Sequence, residues 1–578
     1  MRHRSQFAVG LLFAIAVSVL ACSEGACSEP RQGTSTFLNP MQPVERRVND
    51  LIRRLRPEEK LALLRGAAID RLGVPARETV AGSSATAFPV NMGLAAAWNT
   101  ELIEQIGAAI AQQARALGRA QILGPLTDIS HSPLSGRVFE TWGEDPWLAS
   151  RLVAAYVSGA QGEGEIATAI YPTAAATPES SAGREGDLRP LEAAVTEAGV
   201  WSVQAPDSDA IRGFLRADLG FRGFIRQSSP SDDDSLNVQV RGVLRALFSS
   251  GAFDREITAR DAEIETPAHR ALARDAAAQS IVLLRNENGL LPLDVAKIRR
   301  IAVIGPNAVL NRIPGGSYTV QARYSEPPLD ALRAMFGSRV FLAASPAETA
   351  NADAAIVFAG TGAKTEAETL DRTSLDLPPG QDELIAAVAR ANHNTIVVLI
   401  AGYAVATGNW IHDVPAVLDA WFPGEEGGHA IADVLTGAVN PSGRLPITFA
   451  ALPFGFGLSY TRFEYSGLTV EPAAVSPGQF VEVGLDVRNT GTRAGRETVQ
   501  LYLRAVKPSA RQVLRGFEQV ELKPGEAKRV HFTLTRMATA YFDETRQDWV
   551  QPQQSVFEIR AGSSSADIRA TGTFAIME

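Results

Sequence analysis

The stretch DAAIVFAG at Asp353–Gly360 carries an uninterrupted apolar run that ends in glycine. Two further runs of this kind occur at Arg299–Gly305 and Thr395–Ile400, and a helix-like stretch at Gln381–Ala391 separates two of the three. Strands that are buried on both faces have this pattern, so these runs predict a mostly parallel sheet covered by helices. Ligands of such sheets bind at the carboxyl ends of the strands. The loop Gly360–Asp371 is therefore a candidate site.

The pattern changes on both sides of this segment. On the C-terminal side, Val481–Val487 and Thr498–Leu503 alternate between apolar and polar residues, with a turn at Asn489–Gly491 between them. Short strands at regular spacing without helices predict a β-sandwich of about 110 residues. On the N-terminal side, helix candidates such as Leu94–Leu117 and Ala149–Gln161 alternate with short apolar runs, which predicts another α/β unit.

The composition excludes several classes of function. The chain has 578 residues, a net charge of −9 and two cysteines. It has no block of Lys and Arg that would support nucleic-acid binding. Two cysteines exclude a disulfide scaffold, and the seven histidines show no metal-ligand spacing. No glycine-rich phosphate loop is present, so the sequence predicts neither a metal nor a cofactor.

The N terminus has the pattern of an export signal. Arg2–Arg4 forms a basic head, and the apolar stretch Phe7–Ala21 is short for a membrane span. Val19–Cys22 resembles a bacterial lipoprotein cleavage site with Cys22 as the lipidated residue, and plain cleavage after Ala21 is the alternative. Cys27, in a second Ala-Cys-Ser-Glu copy, is either a free thiol or the true processing site. Each of these alternatives predicts an exported protein, extracellular or periplasmic, that contacts a membrane only through a possible lipid anchor.

Several longer motifs together resemble glycoside hydrolase family 3, the β-glucosidase and β-xylosidase family. They are Gly124–Ile129, Gly136–Pro146, Ile281–Leu293, Ala302–Ala308, Asp371–Pro378, Trp421–Gly428, Asn440–Pro446 and Phe454–Tyr460. The resemblance implies a shortened (β/α)₈-like barrel, an α/β sandwich with a mostly parallel sheet, and a fibronectin type III-like β-sandwich. We assign these to residues 44–265, 266–460 and 461–578, after an export segment at 1–30 and a linker at 31–43.

The resemblance also implies a retaining mechanism at the junction of the first two domains. In such enzymes an ionised Asp attacks the anomeric carbon, and a protonated Glu about 5–5.5 Å away donates a proton to the leaving oxygen. Glu366 and Glu368 both match the acid/base region of the sandwich loop, although an exposed acidic loop would explain them equally well. The adjacent Asp371 and Arg372 are interpreted as a structural ion pair.

The position of the nucleophile has changed. The family pattern Gly-Phe-Asp-Gly-Phe-Val-Val-Ser-Asp corresponds to Gly220–Ser228, so Ser228 stands where the attacking Asp is expected. A neutral hydroxyl without an adjacent base is a poor nucleophile. Asp232, Asp233 and Asp234 follow closely and are either a solvated acidic loop or a relocated nucleophile, for which Asp232 is our candidate.

Other sugar-binding positions differ as well. Ile170 and Tyr171 stand where the family has a Lys-His pair. Arg137 and Asp128 are retained, either as substrate-binding residues or as members of ion pairs within the barrel. The barrel segment has about 210 residues, whereas a complete barrel takes about 250.

Three functions remain open on these grounds. The chain is a working β-glycosidase with an altered site, a non-hydrolytic protein that binds a carbohydrate or glycosylated small molecule, or an enzyme that uses Glu368 or Asp232 for different acid/base chemistry. We favour impaired or absent retaining hydrolysis, because the nucleophile and the sugar-binding positions have changed together.

Overall fold

The computed structural model describes most of the chain after residue 34. The described residues are 35–77, 84–171, 181–206, 208–226, 233–310, 320–362, 365–367, 370–449, 451–507, 511–543, 546 and 548–577. They form three successive units.

The first unit is built on a parallel sheet of four strands in the order β1-β2-β3-β4. A complete (β/α)₈ barrel has eight strands, so the described part of this unit contains half that number, as expected for a shortened barrel. Its elements are α1 (Val44–Ile52), α2 (Pro57–Leu64), α3 (Asn91–Ala96), α4 (Thr100–Ala116), β1 (Gln121–Leu126), α5 (Pro146–Gly162), β2 (Ile166–Ile170), α6 (Ser181–Thr196), β3 (Ser202–Gln204), α7 (Asp209–Gly213), β4 (Phe224–Arg226) and α8 (Asp233–Ser249).

The single helix predicted over Leu94–Leu117 is wrong, because the structure divides it into α3 and α4. At the break, Trp98 has a φ of 49°, and its buried indole Nε1 donates to the carbonyl of Arg444, 3.0 Å away. Asn99 then caps α4 by accepting from the backbone N–H of Leu102 at 3.1 Å. A tertiary contact and an N-cap therefore override the continuous helical pattern.

The second unit contains a six-stranded sheet in the order β5-β10-β9-β8-β6-β7. Only β5 is antiparallel to its neighbour, so the prediction of a mostly parallel sheet is confirmed. The elements are α9 (Pro267–Ser280), β5 (Val282–Asn286), β6 (Ile301–Ile304), α10 (Pro328–Phe336), β7 (Val340–Leu342), β8 (Ala354–Gly360), α11 (Gln381–Ala391), β9 (Thr395–Ile400), β10 (Ala416–Asp419) and α12 (Gly427–Thr436). All positions of β8 and β9 are buried, which explains their uninterrupted apolar sequences.

The third unit is the predicted β-sandwich. A three-stranded sheet, β11-β13-β16, packs on a five-stranded sheet, β12-β20-β19-β14-β15, and β17 and β18 form a separate pair. The elements are β11 (Phe463–Glu471), β12 (Ala474–Val475), β13 (Val481–Asn489), β14 (Gly495–Lys507), β15 (Val513–Leu522), β16 (Ala527–Leu534), α13 (Arg536–Thr539), β17 (Tyr541–Asp543), β18 (Asp548–Val550), β19 (Ser555–Gly562) and β20 (Ile568–Ile576).

Buried polar contacts join the three units. The Glu425 carboxylate in the second unit accepts from the backbone N–H of Ala87 in the first, at 2.8 Å. Arg444, also in the second unit, forms a buried ion pair with Glu497 of the β-sandwich at 2.5 Å. Within the described ranges, no helix is both long and apolar enough to cross a bilayer.

Candidate active site

The carboxyl-terminal side of the four-stranded sheet lies against the loop that follows β8. The backbone N–H of Arg372 in this loop donates to the carbonyl of Leu134, which follows β1, at 2.8 Å. In return, the backbone N–H of Gly136 donates to the Asp371 carboxylate at 2.7 Å. The first and second units therefore meet at the loops that the sequence analysis associates with the site.

Gly136 allows this close approach. A Cβ atom at this position would lie 2.2 Å from the carbonyl oxygen of Leu370 and 2.3 Å from that of Ala367. Those distances are far below van der Waals contact, so a side chain would displace the loop. The N–H of Leu370 also donates to the carbonyl of Ala367 at 3.0 Å. Ala367 and Leu370, the described residues on either side of Glu368, therefore lie against the barrel.

Glu366 lies inside the second unit. Its side chain has no solvent exposure, and one carboxylate oxygen accepts from the Arg372 guanidinium at 2.9 Å. The other oxygen accepts from the backbone N–H of Gly402 at 2.8 Å, and a Cβ at Gly402 would lie only 2.4 Å from it. Burial raises the pKa of Glu366, and the Arg372 charge opposes that rise.

This geometry argues against Glu366 as the residue that protonates a leaving group. Its two oxygens are both engaged by internal donors, and an acid/base residue must reach the substrate. Glu366 is instead an anchor for the loop. The interpretation of Asp371 and Arg372 as a mutual ion pair is also corrected, because Arg372 pairs with Glu366 and Asp371 accepts from Gly136.

A second buried carboxyl group lies near this anchor. Asp419 ends β10 and is almost fully buried, with one oxygen accepting from the backbone N–H of Trp421 at 3.0 Å. Burial raises the pKa of Asp419 to about 8, and the negative charge of Glu366 contributes in the same direction. No sequence pattern indicates the burial of Asp419, because a strand-ending Asp in an exposed turn would have the same local pattern.

Arg137 and Asp128 contact side chains within their own segment. The Arg137 guanidinium donates twice to one oxygen of Glu140, at 3.0 and 2.6 Å, which agrees with the ion-pairing alternative for this residue. The Asp128 carboxylate lies 3.4 Å from Nε2 of His131, a contact that is an ion pair only when the imidazole is protonated. Tyr171, which stands in place of a family His, is 4% exposed at the end of β2.

The remaining predicted site residues lie outside the described residues. These are Ser228, Asp232 and Glu368, together with Cys22 near the N terminus. Of the neighbouring acids, Asp233 begins α8 and Asp234 is exposed in its first turn. Within the described ranges, no group of three or more His, Cys, Asp and Glu side chains is arranged to hold a metal ion.

The domain matches follow the same three-unit order. Residues 73–233 match the glycosyl hydrolase family 3 N terminal domain, residues 281–509 the family 3 C-terminal domain, and residues 497–565 a fibronectin type III-like domain. Thermostable beta-glucosidase B of Acetivibrio thermocellus is 31% identical over 665 aligned positions that cover 90% of this chain and 87% of the relative. The chain belongs to glycoside hydrolase family 3. A family 3 beta-xylosidase-type relative, the Beta-xylosidase of Formosa agariphila, is 29% identical and covers 93% of this chain and 96% of its own length.

Solved family 3 structures have the same fold. The beta-glucosidase of Bifidobacterium adolescentis aligns with a TM-score of 0.81 and 27% identity, covering 91% of this chain and 95% of that chain. The Trichoderma reesei beta-D-glucoside glucohydrolase aligns with a TM-score of 0.83 at 24% identity, covering 95% and 100%. The alignment with the Acetivibrio enzyme has 665 positions, which is more than the 578 residues of this chain. The Acetivibrio enzyme therefore contains segments that this chain lacks.

Proposed function

We propose that this family 3 protein is exported and binds a carbohydrate between its first two units, with retaining hydrolysis lost or strongly impaired. The observation that carries the proposal is Ser228, two residues after the end of β4, where the family pattern has the attacking Asp. The retaining mechanism needs an ionised carboxylate there to form the glycosyl–enzyme intermediate. A serine hydroxyl without an adjacent base does not supply it.

The two sides of the site support binding without turnover. On the sandwich side, the loop that contains Glu368 remains anchored through Glu366 and Arg372 and docked on Gly136. On the barrel side, Ile170 and the buried Tyr171 stand where the family has a Lys-His pair. The architecture of the cleft is therefore kept, while the groups that would drive the reaction are changed.

Hydrolysis and binding should be measured together. We expect wild-type protein to hydrolyse nitrophenyl β-glucoside and β-xyloside no faster than its Glu368→Gln variant, while calorimetry detects binding of glucose or xylose. The Glu368→Gln variant is the matched control, because it removes the remaining acid/base candidate without changing side-chain size. Wild-type turnover clearly above that of the variant would contradict the loss of hydrolysis. If neither glucose nor xylose bound, the result would contradict carbohydrate recognition.

Export gives a separate expectation about the N terminus. We expect the mature protein to begin at Cys22 and to be found in the membrane fraction with a lipid on that thiol, measurable by intact mass. Cys22→Ala should release the protein from membranes, whereas Cys27→Ala should not. A mature chain that begins at Met1 would contradict export, and an unmodified chain that begins at Cys22 would favour plain cleavage.

A further inference from the structure

Arg226 is the last residue of β4 and lies on the inner face of the four-stranded sheet. The register pairs Thr168 with Ser202 and Ser202 with Phe224, and two residues further along it pairs Gln204 with Arg226. Residues two apart on a strand share a face, so Arg226 lies on the same face as Phe224. The opposite face carries residues such as Val203 and Ile225, which pack in the core with helices α5 and α6.

Arg226 is unpaired in the part of the chain that the structure describes. Its side chain is exposed and makes no hydrogen bond or ion pair there. Its strand neighbour Gln204 is half-buried, and its side-chain amide is likewise without a partner within the described ranges. A strongly charged donor and an amide thus lie side by side at the carboxyl end of the sheet, where parallel sheets bind their ligands.

A second arginine lies one row deeper on the same face. Arg77 is 7% exposed, and its guanidinium carbon lies 4.7 Å from the centroid of the Phe224 ring. It donates to the carbonyl of Leu63 at 2.8 Å and to the side-chain oxygen of Gln121 at 3.2 Å. Its Nε has no hydrogen-bond partner, although the atom is buried. The described residues therefore give this buried cation only neutral acceptors.

The two guanidinium groups repel each other. Burial lowers the pKa of Arg77 to about 10, and the positive charge of Arg226 contributes in the same direction. Burial of a cation without a counter-charge is unfavourable, and a second cation nearby increases the cost. An anion at the open end of this face would reduce both effects, and a guanidinium matches a carboxylate or phosphate with two parallel hydrogen bonds.

We propose that this end of the barrel binds the anionic group of a sugar ligand, a carboxylate or a phosphate, through Arg226 with Arg77 behind it. The identity of the ligand as a sugar rests on the proposed function, whereas the anion site rests on the two arginines. The family pattern has valine at the position of Arg226, so the charge distinguishes this chain from that pattern. It makes Arg226 a specificity-determining residue.

Calorimetry with four ligands tests the proposal on the full-length mature protein. The ligands are glucose, glucuronic acid, glucose 6-phosphate and inorganic phosphate. We expect at least one anionic sugar to bind about tenfold more tightly than glucose, as charge-assisted bidentate pairs allow. Arg226→Val should remove that preference by lowering the affinity for the anionic sugar about tenfold. Arg222→Val is the matched control, because it removes the same charge two residues before β4 begins, where the residue is also exposed.

The outcomes separate the anion site from the carbohydrate function. Glucose binding as tight as that of both anionic sugars would overturn the anion site and leave carbohydrate binding intact. Inorganic phosphate binding that is lost in Arg226→Val, without any sugar binding, would support the anion site and contradict the carbohydrate function. Binding of none of the four, or an equal loss in Arg222→Val, would overturn the inference. Arg226→Gln, with unchanged circular dichroism, excludes misfolding as the cause of a loss.

Discussion

Replacing Arg372 with methionine is expected to destabilise the second unit by about 3–5 kcal/mol, the cost of leaving a buried charge unpaired. The side chains of Glu366 and Arg372 are 0% and 4% exposed, and their ion pair measures 2.9 Å. Without Arg372, the carboxylate keeps only donors such as the Gly402 N–H in a region where burial already raises its pKa. For a unit of this size the loss corresponds to a decrease of roughly 6–20 °C in the thermal midpoint measured by calorimetry.

Two controls identify the cause of this loss. Arg333→Met removes an exposed pair with Asp330, whose atoms are 3.7 Å apart, and such pairs contribute about 0–1 kcal/mol. The double variant Glu366→Leu/Arg372→Met removes both charges together and should recover much of the stability, because no unpaired charge remains. A midpoint for Arg372→Met that equals that of Arg333→Met would contradict the anchoring role of the pair.

Asp419→Asn is expected to change how stability depends on pH. The pKa of Asp419 is about 8 in the folded protein against a reference value of 3.8, so the folded state holds a proton that the unfolded chain releases. The stability contributed by this group is therefore complete below about pH 4 and is lost progressively as the pH rises to about 8. At one pKa unit per 1.36 kcal/mol, the loss is on the order of 5 kcal/mol.

The comparison should be made as a difference between wild type and variant. Burial also raises the pKa of Glu165 and of Glu425 to about 7, so the wild-type protein loses stability over this interval for more than one reason. Thermal midpoints at pH 5 and pH 8 should differ less in Asp419→Asn than in wild type, whereas the exposed Asp330→Asn should leave the difference unchanged. An unchanged difference in Asp419→Asn would contradict the shift.

Local sequence patterns determine the elements that were predicted correctly. The run Thr395–Ile400 is β9 and the stretch Gln381–Ala391 is α11, each with the bounds that the sequence analysis gave. The alternation in Val481–Val487 likewise lies within β13. In these segments the pattern of apolar residues follows directly from whether the element is buried on one face or on both. A short stretch of sequence is therefore enough to predict the element.

The interior anchor of the site depends on distant residues instead. Glu366 has the local sequence of an exposed acidic loop, and its burial results from Gly402 and the Arg372 side chain. The need for glycine at position 136 likewise results from the close approach of a loop that lies more than 200 positions later in the chain. Such contacts leave no periodic pattern, so the sequence places both glutamates in one loop but does not choose between them.

The contact between Trp98 and Arg444 joins residues that are 346 positions apart. At a synthesis rate of about 5–20 residues per second, roughly 20–70 s pass between the appearance of the indole and that of its acceptor. The hydrogen bond that fixes the break between α3 and α4 can therefore form only after residue 444 has been synthesised.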